Sequence, residues 1–120
     1  MTIFEFVNDR KKTFSWLAEQ QGEIEAMGHY FSDWPHDPGG FGLVLSGHER
    51  SGELHLTADG VVTYHIETSD STPGQISVLE QVTRQANSFN DFEYVYRRFR
   101  SLILGSAPKG LSAPNPSGTD

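Results

Sequence analysis

The chain has 120 residues, no cysteine and a formal charge of −7. That length suits one compact domain, and 8 Phe, 4 Tyr and 2 Trp supply enough large side chains to fill a core. The missing cysteines exclude a disulfide scaffold, a Cys-ligated metal and a thiol nucleophile. No apolar run approaches the roughly 20 residues that span a bilayer. The stretch from Met1 to Asp9 carries Glu5 where a signal peptide would carry positive charge, and it lacks an apolar h-region. The expectation is a soluble, cytoplasmic protein without membrane contact.

Thr2 and Glu5 are spaced as a capping box at the start of a helix. Ile3, Val7, Phe14, Leu17, Ile24 and Met27 recur at near-helical spacing and predict one apolar stripe. Gly28 is a natural C-cap, while Gly22 weakens the interior by about 1 kcal/mol relative to Ala. A start nearer Asp9, with Ile3 to Phe6 as a lead-in, is the alternative. His29 to Trp34 reads as a strand, residues 35–40 as a Pro/Gly loop, and Phe41 to Leu45 as a second strand with Phe41, Leu43 and Leu45 on one face.

The segment from Leu54 to Ile66 is the clearest hairpin. A two-residue Asp59-Gly60 turn would mix apolar and polar side chains on each face. A three-residue loop, Ala58 to Gly60 with Gly60 left-handed, pairs Leu56 with Val62 and Leu54 with Tyr64. It gathers Leu54, Leu56, Val62, Tyr64 and Ile66 on one side, and a buried face fixes register. Asp70 to Gly74 reads as a turn. Residues 75–84 read as a fifth strand, with a one-turn helix as the alternative. Asn90 then caps a closing helix whose stripe is Phe92, Val95, Phe99, Leu102 and Ile103, ending at Gly105. Arg97, Arg98 and Arg100 suit the C-terminal end of its dipole. Residues 106–120, rich in Pro, Gly and Ser, read as a disordered tail beyond a domain of residues 1–105. The expected fold class is α+β: a helix, a five-stranded antiparallel meander and a helix, both helices on one sheet face and the other face open.

Charge is segregated. Between Thr13 and Thr83 eleven acids face a single base, Arg50, for a net −10. Such a surface repels a phosphate backbone, which argues against nucleic acid as a partner, and steers a basic protein partner toward it. There is no G-x-S-x-G, Walker loop or H-E-x-x-H. Gly39-Gly40-x-Gly42 precedes a strand, where a phosphate cradle opens a helix. His36 and Asp37 are neighbours in sequence, which rarely sets the geometry of a base and its orienting acid. Pairing Leu45 with Leu56 would bring His48 beside Glu53, His55 and His65 on the outer face, yet the spacing matches no metal motif. Polar side chains on a solvated face are the simpler account, so no metal or cofactor is expected. Trp16 and Trp34 are expected in the core or between helix and sheet, with a ring exposed as a binding anchor the alternative.

Phe14 to Glu19 in the opening helix, the run Ser51 to Tyr64, the acidic turn and the aromatic closing helix together resemble the TriTu-type group of small bacterial immunity proteins that accompany polymorphic toxins. The likeness spans residues 10–104, without that group's Trp-Glu in the central hairpin. It implies a non-enzymatic inhibitor that binds a cognate toxin domain, with a basic surface, in the cytoplasm. Glu53, His55, His65 and Glu67 on the sheet are the first candidate contacts, with Glu19, Glu23, Asp33 and Asp37 next. The competing readings are a secretion-chaperone-like dimer that holds an effector segment and a small His-based metal-binding or enzymatic domain. Oligomeric state is left open by the residues alone.

Overall fold

The computed structural model describes residues 1–69 and 76–105. The expected Asp70 to Gly74 turn and the tail beyond Ser106 lie outside them. The order is α1 (Ile3–Val7), α2 (Arg10–Ala26), β1 (Tyr30–Pro35), β2 (Gly40–Ser46), β3 (Arg50–Thr57), β4 (Val61–Ser69), β5 (Ile76–Gln85) and α3 (Phe89–Leu104). The five strands form one antiparallel sheet in sequence order. The helices pack on one of its faces, as the pattern of alternation requires.

The opening segment is two helices, which joins both readings of its start. Thr2 and Glu5 form the capping box, with Glu5 N–H donating to Thr2 Oγ1 at 3.1 Å and Thr2 N–H to Glu5 Oε1 at 2.7 Å. Asn8 then ends α1, and Asp9 Oδ1 accepts from the amides of Lys11 and Lys12 to start α2. The break resets the helical phase. Thr13, Trp16, Leu17, Gln20 and Ile24 face inward, whereas Phe14 and Met27, expected in the stripe, are half exposed. Gly28, in the left-handed conformation, directs the chain into β1.

The central hairpin has the register that its burial pattern demands, Leu56 opposite Val62 and Leu54 opposite Tyr64, with Gly60 at φ 83°. Leu54, Leu56, Val62, Tyr64 and Ile66 are all buried. Residues 76–85 form the fifth strand, with a bulge that leaves Leu79 unpaired between Glu80 and Val78. The first hairpin differs from expectation: Leu45 faces Gly52, and Phe41 faces Leu56. A tight turn closed by Gly47 N–H to the Arg50 carbonyl, 2.8 Å, lets β3 pair along its whole length. It also carries His48 away from the outer face. The closing helix is capped by Ser88 rather than Asn90, with Ser88 Oγ accepting from Asp91 N–H at 3.1 Å. It ends, as the sequence suggests, at a left-handed Gly105.

Trp16 is the hub of the core, with the rings of Phe6, Phe41, Phe89, Phe92 and Tyr96 all within 6.4 Å of it. The basic cluster of α3, expected to complement the helix dipole, lies short of the last turn, which holds no basic residue, and bonds neighbouring elements instead. Arg98 grips Glu80 of β5 with two bonds of 2.8 Å, and Glu80 accepts in turn from the Tyr64 hydroxyl. Arg100 reaches Glu23 at 2.8 Å and Gln20 at 3.0 Å on α2, and Arg50 donates to the Leu102 carbonyl at 2.7 Å. The Arg98 guanidinium holds Glu80 below its ordinary pKa, while burial and the Glu80 bond push Tyr64 up to about 12.

Gly52 is a point of close approach between α3 and the sheet. A Cβ there would meet Ile103 Cδ1 and Phe99 Cε1 at 2.8 Å and the His65 carbonyl at 3.0 Å. Gly52→Ala should therefore lift α3 and cost about 1–3 kcal/mol by chemical denaturation, as overpacked cores do; an unchanged midpoint would mean that the contact yields freely. The tyrosine shift has a defined sign. Because Tyr64 is harder to ionise folded than unfolded, stability should hold up to about pH 10 and fall as pH rises from there toward 12. Tyr64→Phe, compared with wild type in alkaline denaturation curves, should show a shallower fall above pH 10.

Candidate functional site

The sheet face opposite the helices is built by the alternate residues of the same strands. Where Leu54, Leu56, Tyr64 and Ile66 point to the core, Glu53, His55, His65 and Glu67 must point outward. Glu53 and His65 are cross-strand partners, but the hydrogen bonds run along each strand. His55 Nε2 lies 2.6 Å from Glu53 Oε2, and His65 Nε2 lies 2.9 Å from Glu67 Oε2. Each carboxylate is thereby tied to an imidazole on its own strand.

A third histidine joins them. His36, just past the end of β1, places Nε2 2.9 Å from His55 Nδ1, with the two rings 17° from parallel. Trp34 stands edge-on to His55 at 5.7 Å and is half buried on this open face rather than in the core. One cross-strand row explains the arrangement: Trp34 faces Gly42, which faces His55. A Cβ on Gly42 would lie 2.6 Å from the indole and 2.9 Å from His55 Nδ1, so only glycine lets the two rings close over the strand between them. Arg10 of α2 secures the loop from behind, donating to the carbonyls of His36 at 3.1 Å and Pro38 at 3.4 Å. Burial, and then the neighbouring His55, lower the pKa of His36. Beside this group lies a shallow depression of about 210 Å³ lined by Val44, Ser46, Ser51, Glu53, His65 and Glu67.

The remaining candidates stand elsewhere. Glu23 pairs with Arg100 between the helices, and Glu19 borders a separate groove with Lys11, Lys12, Trp16 and Phe89. Asp33 alternates with Trp34 on β1 and so points to the helix side, where burial raises its pKa. Asp37 sits in the loop beyond β1. Thus, among the described acids of the −10 stretch, only Glu53 and Glu67 belong to the four-residue His–Glu group. His48 lines a hollow with His29, Glu49 and Arg50 at the end of α3, away from His55 and His65. Among the described residues no three His, Asp or Glu side chains converge to hold a metal ion.

Sequence reasoning found His55, His65 and the two glutamates but missed Trp34, His36 and Gly42 as their neighbours. The available signal was the alternation of β1, which places Trp34 on the face opposite Phe31. Comparison with family models, with curated proteins and with solved structures finds no match to this chain. No described helix is long and apolar enough to cross a membrane.

Gly42→Ala tests the platform. The added methyl should displace the Trp34 ring and lengthen the His36–His55 bond while the helix-side core stays packed. The expected readouts are a red-shifted Trp34 emission and loss of the His36–His55 ring contacts by NMR, with α3 contacts unchanged.

Proposed function

We propose that this chain is an immunity-type inhibitor that binds a cognate toxin domain in the cytoplasm and uses the open sheet face as its principal contact. The observation that carries this reading is the uncovered face itself, where Trp34, His36 and His55 are held in fixed orientations beside Glu53, His65 and Glu67. Rigid aromatic side chains ringed by polar groups are what binding surfaces employ at their energetic centres. Pre-arranged side chains also lose little entropy on association.

The charge fits a basic partner. The chain carries −7 overall, and every paired arginine of α3 has its carboxylate within the fold. The field outside is therefore acidic and favours encounter with a positively charged domain. The resemblance to toxin-associated immunity proteins points the same way. Among the described residues no nucleophile is held by a base and an oxyanion cradle, the arrangement that a hydrolytic reading would build on.

The test uses the C-terminal domain of the toxin encoded beside this chain. Glu53→Lys with Glu67→Lys should fold normally, because both side chains are about half exposed, 52% and 44%. The pair should slow association and flatten its dependence on salt. If the wild type neither binds that domain nor protects cells from it, the immunity reading falls. Tight binding that ignores both reversals would move the contact to Asp33 and Asp37 or to the α2 acids Glu19 and Glu23. A stable homodimer that takes up an extended peptide would favour the chaperone-like alternative.

A further inference from the structure

The hydrogens of the Glu53–His55–His36 chain can be placed one by one. Carboxylate oxygens only accept, so His55 Nε2, 2.6 Å from Glu53, carries a hydrogen. Neutral His55 then has its lone pair on Nδ1, and His36 Nε2 at 2.9 Å must donate to it. Every bond is satisfied with both rings as Nε2–H tautomers, and Nδ1 of His36 is left to take the first added proton. That proton breaks nothing. The second has only His55 Nδ1 to occupy, where it would meet the His36 Nε2–H head-on.

We propose that the His36–His55 pair is a proton-operated latch that holds the 36–40 loop against the open face until the pair takes up its second proton. The surrounding charges set its direction. From β3, Glu53 touches His55; from β4, His65 lies opposite Glu53 and is itself paired with Glu67. From α2, the Arg10 guanidinium bonds the loop carbonyls and opposes a further positive charge. Asp37 lies in the loop, and Trp34 and Gly42 bring no charge. Two imidazolium ions facing each other across a lost hydrogen bond repel, so the pair titrates in two coupled steps.

Once the imidazoles part, the described bonds still holding the loop are His36 N–H to the Gly40 carbonyl at 3.1 Å and the two from Arg10. The His36 ring can then leave the sheet and uncover His55. The shape of the open face thus depends on pH in the range where imidazoles titrate. This device stands independently of any partner.

The experiment follows imidazole nitrogens, loop amides and the Trp34 indole N–H by NMR on the full chain, from about pH 8 to about pH 5. The expected result is two separate proton steps for the pair, with the amides of His36, Asp37 and Gly39 and the Trp34 indole responding to the lower step. His36→Phe keeps a stacked ring without a titratable nitrogen. In that variant His55 should titrate once and the loop amides should stay flat. A single shared step with silent loop amides, or the same loop response in His36→Phe, would overturn the latch.

Discussion

The alternation of the central hairpin governs this molecule. Pairing Leu56 with Val62 and Leu54 with Tyr64 puts five large apolar side chains on one side of β3 and β4. At about 25 cal/mol per Å² of apolar surface removed from water, leaving that side exposed would forfeit much of the stability of so small a chain. The helices must therefore cover it. The same pleat sends Glu53, His55, His65 and Glu67 to the other side, where no described element covers them. Core and candidate site are thus two consequences of one register.

The helix that covers this side is held by approach and by charge together. Gly52 admits Phe99 and Ile103 to near contact with the strand backbone, and Trp16 fills the space between α2, α3 and β2 with rings on several sides. Around that core Arg50, Arg98 and Arg100 connect α3 to β3, β5 and α2. For Arg98 and Arg100 these bonds engage, within the fold, side chains that look in sequence like part of a basic patch. Long-range charge is left to the acids, which explains why an acidic field and a structurally neutral helix interface coexist.

On the open face the same economy of partners appears in protons. Glu53 fixes the tautomer of His55, and His55 fixes that of His36, so one carboxylate orders two imidazoles and the loop behind them. Gly42 makes this possible by leaving the space that a side chain would fill. A surface organised in this way presents Trp34 in one orientation.

Local alternation and turn chemistry determined much of the architecture in advance. The two-residue period of Leu54 to Ile66, with a glycine able to adopt positive φ at position 60, specified hairpin, register and buried face. The Thr2–Glu5 capping box and the glycines at 28 and 105 marked helix ends, whereas the cap of α3 fell to Ser88 and not to Asn90. The tertiary structure decided what depends on distant pairing. The break at Asn8 and Asp9 rotated Phe14 outward and Trp16 inward, a phase change invisible to a continuous helical stripe. The tight turn at Gly47 moved His48 off the outer face. Alternation put Trp34 on the face opposite Phe31, but that its ring would close over Gly42 depended on the pairing across the sheet. Gathering His36 with His55 needed the first hairpin closed, because nineteen positions separate them in the chain. Short-range periodicity sets which side a residue faces; only closure of the sheet sets which residues it meets there.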